Sequence, residues 1–153
     1  MTKYTSYQDR YFAEQLLLKR PQSSYDSLAS AMSGVKVDLN PHQVDAALFA
    51  MQSPLSSGVL MADEVGLGKT IEAGLVLAQY WAERKRNILL IVPAALRTQW
   101  RSELSEKFYI DSLILESSNF NKMRKEGCLN PFDAKNQVVI CSYNFAANKD
   151  SFV

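Results

Sequence analysis

The spacing of hydrophobic residues changes near residue 58, from a helical period to short continuous apolar runs. Upstream, Tyr4, Tyr7 and Tyr11 recur every three or four positions, which is typical of an amphipathic helix that buries its tyrosines. Downstream, the apolar runs have the length of strands that are covered on both faces. These runs are residues 58–62, 87–93, 112–116 and 137–143. Helical stretches separate them, so the pattern predicts an α/β domain with a mainly parallel sheet.

Residues 1–38 are predicted to form a small helical extension ahead of this domain. Its first helix ends at Pro21, and a second, short helix ends at Gly34. A third helix, already part of the α/β domain, is expected to begin at Pro41, whose fixed φ suits the first helical position, with Asn40 as its N-cap.

The segments between the predicted strands have helical periodicity. The stretch "KTIEAGLVLAQYWAER" is apolar nearly all round, as expected for a crossover helix against a parallel sheet. The stretch "AALRTQWRSELSEKF" places Leu96, Trp100, Leu104 and Phe108 on one face. Trp100 is therefore expected to pack in the core rather than stack on a base.

Composition narrows the class of protein. A chain of 153 residues with 47% hydrophobic and 22% charged residues has the make-up of one ordinary globular domain. No apolar run reaches about 18 residues and the first residues lack a secretion signal, so we expect a cytoplasmic protein with no membrane partner. Cys128 and Cys141 have no metal-ligand spacing and are expected to be reduced thiols, in a loop and a strand respectively.

The balance of charge excludes a globally basic nucleic-acid binder, because 17 Lys and Arg face 16 Asp and Glu. Any site for a polyanion must therefore be local. Residues 83–87, "ERKRN", and 121–127, "NKMRKEG", could supply one, although solvated charge at a helix end or in a loop is the favoured explanation of both.

The stretch "LMADEVGLGKTIEAG", residues 60–74, carries the clearest chemistry. A predicted strand, a glycine-rich turn and Lys69-Thr70 at the start of a helix form the context of a phosphate-binding loop. Gly66 and Gly68 let backbone N–H groups turn inward, and the helix adds the positive end of its dipole. Lys69 can reach the β- and γ-phosphates of a nucleotide, and the Thr70 hydroxyl can bind Mg²⁺. The plain alternative is a Gly-Leu-Gly turn with a surface lysine.

The whole loop, residues 63–70, is expected to wrap the phosphates through its backbone. It comprises Asp63, Glu64, Val65, Gly66, Leu67, Gly68, Lys69 and Thr70. Asp63 replaces the first glycine of the general pattern, at a point where the strand leaves the sheet. The acidic pair Asp63-Glu64 is not expected to hold the metal, because carboxylates that face the nucleotide from this loop would repel it.

Four segments in this order resemble the first motifs of superfamily 2 helicases, specifically the Swi/Snf-type translocases on double-stranded DNA. They are "LNPHQ", "ADEVGLGKTIEAG", "ILLIVPAALRTQW" and "VVICSY", within residues 39–143. Glu72 stands where many members have Gln, and the bacterial members are the most similar. The resemblance implies that residues 39–153 are the first part of a RecA-like ATP-binding lobe, truncated before an Asp-Glu-x-His motif.

The resemblance also implies roles for individual residues. Gln43 matches the glutamine that reads the adenine edge of ATP, and Lys69 and Thr70 match the phosphate and Mg²⁺ ligands. The segment from Pro93 to Trp100 matches a motif that touches one DNA strand, and Ser142 and Tyr143 match a further DNA-side motif.

Some of these residues have a second explanation that the sequence leaves open. Gln43 lies three residues after Asn40 and could complete a capping box as well as read adenine. Arg97 and Arg101, one turn apart, are candidates for phosphate contact but could equally form a solvated face.

The expected function is the ATP-binding portion of an ATPase that acts on duplex DNA. Alone, the chain is expected to bind nucleotide weakly without hydrolysis and to self-associate through unpaired sheet edges. The alternative is a non-catalytic module that senses nucleotide or binds nucleic acid through the same loop. A P-loop kinase or GTPase is disfavoured, because neither class accounts for Gln43 or "VPAALRTQW".

Overall fold

The computed structural model describes residues 35–36, 39–52, 58–62, 68–134 and 136–149. The two helices predicted within residues 1–34 and the loop residues 63–67 lie outside the described residues. The helices are α1 (Pro41–Gln52), α2 (Lys69–Ala82), α3 (Arg97–Phe108), α4 (Ser117–Lys125) and α5 (Tyr143–Ala147). The strands are β1 (Leu89–Val92), β2 (Ser112–Ile114) and β3 (Val138–Ser142), and a 3-10 turn, Ala94–Leu96, precedes α3.

The three strands form one parallel sheet in the order β1-β3-β2. Leu90 of β1 and Ile114 of β2 both pair with Ile140 of β3, so the last strand in sequence lies in the middle. Parallel neighbours need long crossovers, and helices occupy them here. The predicted α/β class with a mainly parallel sheet is confirmed.

The strand predicted at residues 58–62 was wrong. Gly58 lies in a bend, residues 59–62 have no regular secondary structure, and Leu60 is 85% exposed. An extended run forms a strand only when a neighbouring strand pairs its N–H and C=O groups. Within the described ranges, no strand pairs with this segment. The other three predicted strands are present but shorter at their ends.

Two hydrophobic clusters cover the two faces of the sheet, and β3 contributes to both. Val138 and Ile140 belong to the cluster beneath α1, α2 and α3, whereas Val139 and Cys141 belong to the other. This is the period of two that a strand imposes on its side chains. Trp100 packs against the first cluster, as expected.

The second cluster is built on three aromatic rings from α4, the following loop and α5. The ring centroids of Phe120, Phe132 and Phe145 lie 5.7 to 6.0 Å apart, and the Phe120–Phe145 pair meets edge to face. This tilted geometry is the one that aromatic quadrupoles favour. The cluster fastens α4 and α5 to the same face of the sheet.

The start of α1 has one of the two hydrogen bonds of the capping box that the sequence left open for Gln43. The helix begins at Pro41, and the Gln43 side chain turns back so that its Oε1 accepts the Asn40 N–H at 3.2 Å. Gln43 is only 5% exposed. One polar side chain thus closes the helix while lying inside the molecule.

Helices α2 and α3 approach closely at Gly74. A Cβ at this position would lie 2.3 Å from Cζ and 2.4 Å from Cε2 of the Phe108 ring. Gly74 is buried and helical, so a glycine in mid-helix, which costs stability on its own, is explained by the ring that lies against it.

Gly74→Ala is expected to destabilise the fold. The added methyl group over-packs against Phe108 at a cost of about 1–3 kcal/mol, of which the better helix propensity of Ala offsets about 1 kcal/mol. Gly58→Ala is the control, because nothing lies within 4 Å of a Cβ there. Urea denaturation should show a lower midpoint for Gly74→Ala only, and equal midpoints for the two variants would refute the close approach.

The two cysteines differ in accessibility. Cys128 follows α4 and is half-buried, whereas Cys141 lies in β3 and is 0% exposed. Burial raises the pKa of the Cys141 thiol, although the positive charge of Arg97 lowers it in part. The expectation of one loop thiol and one strand thiol is confirmed.

Thiol labelling should therefore proceed in two phases. Because the thiolate is the reactive form, a disulfide reagent at neutral pH should modify Cys128 quickly and Cys141 only on unfolding. Cys128→Ser should abolish the fast phase. The raised pKa of Cys141 also makes the free energy of unfolding depend on pH. The stabilisation from the protonated thiol is complete below the pKa of this thiol in the unfolded chain, and it is lost as the pH rises through its higher pKa in the folded chain. Fast labelling of both thiols in the native state would contradict the buried position of β3.

No helix among the described residues combines the length and the apolar character that crossing a membrane requires.

Candidate functional site

The Gly68-Lys69-Thr70 triplet begins helix α2. Gly68 is the N-cap in the left-handed region, with φ 94° and ψ 37°, and its carbonyl oxygen accepts the N–H groups of Ile71 and Glu72 at 2.7 and 3.1 Å. Lys69 and Thr70 follow as the first two helical residues and are half-buried. The positive end of a 14-residue helix therefore lies where the sequence predicts bound phosphate.

Gln43 of α1 lies directly against this glycine. A Cβ at Gly68 would be 2.4 Å from Gln43 Nε2 and 3.5 Å from Gln43 Cδ. The side-chain amide therefore fills the space that any other residue at position 68 would need. The structure thus brings the predicted adenine-reading glutamine against Gly68, the first described residue of the predicted phosphate loop, although the two are 25 positions apart in sequence.

The remaining residues of the predicted loop, Asp63, Glu64, Val65, Gly66 and Leu67, lie outside the described residues. In the part of the chain that the structure describes, no three metal-ligating side chains come together. Thr70 is at the second position of α2, a suitable place for a hydroxyl ligand to a metal that also touches a phosphate.

The carboxyl ends of the three strands meet at one edge of the sheet, and predicted nucleic-acid residues lie there. Val92 pairs with Ser142, so Pro93 after β1 is next to the end of β3, and Glu116 comes shortly after β2. These ends border an open cleft of about 500 Å³. Its polar lining includes Arg97, Glu116, Ser117, Ser142, Asn148 and Lys149.

Arg97 is the most firmly held cation of the cleft. Its Nη1 lies 2.9 Å from Oε1 of Glu116, and its Nε donates to the Ala94 carbonyl oxygen at 3.1 Å. The Arg97 side chain is 21% exposed to solvent. These contacts orient the guanidinium between the ends of β1 and β2.

Ser142 and Tyr143 lie at the junction of β3 and α5. Ser142 is the N-cap of α5, and its Oγ accepts the Phe145 N–H at 3.3 Å. Tyr143 is 58% exposed and Pro93 is also exposed. Ser142 therefore has a structural role, whereas Tyr143 presents a large side chain to solvent beside the cleft.

Arg101 does not join Arg97. It is exposed on α3 and borders a separate depression of about 280 Å³ that also contains Glu106, Asp111 and Ser112. Two carboxylates offset its charge there. The one-turn spacing of the two arginines therefore does not make a shared phosphate site.

The two basic clusters noted in the sequence lie at the ends of helices, where several of their side chains contact neighbouring rings, a carboxylate or backbone carbonyl oxygens. After α2, Arg86 stacks over Trp81 at 4.1 Å, and Lys85 lies 4.2 Å from the Tyr80 ring centroid and 3.0 Å from Glu83. In the last turn of α4, Arg124 donates to the carbonyl oxygens of Cys128 and Leu129. Most of this charge has a local structural role.

Sequence reasoning missed Glu116 and Lys149 as residues of the cleft. The signal for Glu116 was its position at the end of the predicted strand 112–116, since the other predicted strand ends carry the predicted DNA-contacting residues. Lys149 lies 4.9 Å from the Phe120 ring centroid, a contact between distant segments that the sequence does not indicate.

Comparisons with known proteins agree with this geometry. The family model described as the SNF2-related domain matches residues 16–153. The RNA polymerase-associated protein RapA of Actinobacillus succinogenes is 34% identical over 145 residues, which cover 92% of this chain and 15% of that protein. RapA of Yersinia pestis is 35% identical over 150 residues, covering 90% of this chain and again 15% of the relative. The chain thus spans about 15% of the length of these relatives.

One solved structure shares the fold. The SWI2/SNF2 ATPase core of Sulfolobus solfataricus in complex with double-stranded DNA superposes with a TM-score of 0.59 and 21% identity, over 72% of this chain and 22% of that one. The match to residues 16–153, together with this fold, shows that the chain belongs to the SNF2-related domain family of Swi/Snf ATPases.

Proposed function

We propose that this chain forms the ATP-binding part of an ATPase that moves along duplex DNA. The observation that carries the proposal is the contact of Gln43 with Gly68, immediately before Lys69 and Thr70. This contact places the Gln43 amide, which can hydrogen-bond to the edge of a base, beside the start of α2, which can bind phosphates.

In this proposal each residue contributes a distinct interaction with Mg-ATP. The Gln43 amide recognises the adenine edge, and the backbone of residues 63–68 wraps the phosphates. Lys69 places a positive charge at the β- and γ-phosphates, and Thr70 supplies a hydroxyl to Mg²⁺. Bound Mg²⁺ would neutralise charge that develops on the phosphates during transfer.

The cleft at the strand ends is the proposed place for the DNA backbone. Arg97 and Lys149 supply positive charge, and Pro93, Ser142 and Tyr143 border the same edge. Phosphate contacts of this kind position a duplex without reading its sequence. The Sulfolobus ATPase core, which shares the fold, was solved with double-stranded DNA, and this supports the assignment.

Hydrolysis is proposed to need parts that this chain does not carry. Transfer of phosphate to water uses an acidic residue on a second strand, a group that orients the water, and an arginine that stabilises the developing charge. The sequence contains no Asp-Glu-x-His motif. The chain alone is therefore proposed to bind Mg-ATP weakly without turnover, and to self-associate through unpaired sheet edges.

Lys69→Ala should weaken the binding of Mg-ATP about ten- to a hundredfold. The substitution removes a charged hydrogen bond worth roughly 1.5–3 kcal/mol. Calorimetric titration measures the change in affinity. Lys125→Ala is the control: it changes the net charge by the same amount, but at the exposed end of α4 and away from the site.

A phosphate-release assay on the unchanged chain completes this test. Rapid release would overturn the proposal that the remaining catalytic groups lie elsewhere. If Lys69→Ala binds Mg-ATP as tightly as the unchanged chain, the proposed phosphate loop is overturned. If DNA has no effect on Mg-ATP binding or hydrolysis by the whole protein, the nucleotide-sensing alternative is favoured.

Gly68→Ala and Gly127→Ala form a matched pair that isolates the role of Gln43. Both glycines have left-handed backbones, with φ 94° and 93°, so both alanines incur roughly 1–2 kcal/mol of backbone strain. Only at Gly68 does the new methyl group collide with Gln43, since nothing lies within 4 Å at Gly127. Gly68→Ala should therefore lose more stability and also lose Mg-ATP binding, whereas Gly127→Ala should keep its binding.

The double variant Gln43→Ala with Gly68→Ala separates steric from backbone effects. Removing the Gln43 side chain should recover part of the extra stability loss, as thermal unfolding can show. If the two glycine variants were equal in stability and in nucleotide affinity, the packing of Gln43 on Gly68 would have no role in the site.

A further inference from the structure

The ion pair between Arg97 and Glu116 lies inside the cleft assigned above to DNA. We propose that Glu116 is an electrostatic gate: it holds the Arg97 guanidinium until a backbone phosphate of duplex DNA takes its place, and so sets the salt dependence of binding. This inference rests on the proposed function of the cleft.

The backbone of Glu116 is fixed at the start of α4. Glu116 is the N-cap of this helix, and its own N–H donates to Asn119 Oδ1 at 2.7 Å in a capping box. Asn119 in turn donates to the Ile114 carbonyl oxygen at 2.6 Å, which ties the helix start to the end of β2. The carboxylate is therefore held at the cleft by local structure, independently of Arg97.

Arg97 is likewise held without Glu116. Its Nε donates to Ala94, in the turn just before α3, so this contact keeps the stem of the side chain at the cleft when the ion pair opens. A guanidinium carries five N–H donors, and these two contacts involve only some of them. The group can thus exchange a carboxylate for a phosphate while staying in place.

The ion pair between Arg97 and Glu116 is weak enough for a phosphate to replace the carboxylate. The Glu116 side chain is 49% exposed, and ion pairs with this exposure contribute only about 0–1 kcal/mol. A phosphate, which also binds arginine in a forked geometry, can replace such a partner. Among the described residues, Arg97 and Lys149 are the cations that line the cleft and Glu116 is the carboxylate, so the ion pair halves the positive charge that these side chains present to an incoming phosphate.

The effect of Glu116 on DNA binding can be measured as a change in the salt dependence of affinity, because binding to DNA releases counterions. A cation that neutralises one DNA phosphate releases a bound counterion and steepens the slope of log K against log salt by about 0.9. While the Glu116 carboxylate stays beside the bound phosphate, it cancels much of the positive charge that Arg97 brings to the DNA, so fewer counterions are released. Without the carboxylate the release is complete, so the slope should become steeper.

The experiment compares Glu116→Gln with Glu126→Gln in the 153-residue chain. Both substitutions remove one negative charge from α4 or its end, but Glu126 is exposed beyond the last turn of the helix and lies 3.9 Å from Lys122. Duplex DNA affinity is measured by fluorescence anisotropy between about 50 and 200 mM NaCl. Glu116→Gln should bind about two- to fivefold more tightly and steepen the slope by about 0.9, whereas Glu126→Gln should leave the slope unchanged.

Two further variants make the result specific. Adding Arg97→Ala to Glu116→Gln should abolish both gains, because they come from the released guanidinium. Glu116→Ser keeps a good N-cap residue while removing the charge, so it replaces Glu116→Gln if that variant unfolds.

The outcomes distinguish the gate from the proposed function. If the unchanged chain and all variants fail to bind DNA at low salt, the proposed function of the cleft falls and the gate falls with it. If the chain binds but Glu116→Gln has an unchanged slope, or the double variant keeps the gain, the gate is overturned while the DNA site stands.

Discussion

The central strand β3 must be hydrogen-bonded on both sides, and the rest of the described structure follows from this constraint. Its residues from Val138 to Cys141 are buried on both faces, so each backbone group needs a partner in β1 or β2. Parallel pairing with both neighbours requires helical crossovers and brings all three carboxyl ends to one edge. Pro93, Glu116 and Ser142 meet there although they belong to separate segments.

Two glycines, the N-cap of α2 and one within that helix, determine how its neighbours pack. At Gly68 the left-handed N-cap leaves room for the Gln43 amide, and at Gly74 the missing side chain admits the Phe108 ring. The first contact seats α1 at the start of α2, and the second seats α3 along it. The start of α2, where the nucleotide site is proposed, is therefore positioned by packing against α1 on its described side.

Charge is distributed locally in this nearly neutral chain. Lys85, Arg86 and Arg124 close helix ends, and Glu116 partly neutralises Arg97 in the cleft. At the strand ends, Arg97 and Lys149 supply positive charge to the cleft. A weak, salt-sensitive polyanion site is compatible with such a balance, since a carboxylate at the site limits non-specific attraction.

The sequence by itself determined the class of fold, the start of α1 at Pro41 and the start of α2 directly after Gly68. These features depend on local signals: apolar periodicity, a proline and a capping glutamine at neighbouring positions, and glycine where φ must be positive. Residues 58–62 show the limit of such signals, because an apolar run carries no information about whether a partner strand lies beside it. Only the tertiary structure decided that β3 lies between β1 and β2, that Gln43 covers Gly68, and that Arg97 pairs with Glu116 while Arg101 does not join it. The physical reason is that these contacts join segments distant in sequence, and their geometry is set by sheet order and helix packing, which no local pattern encodes.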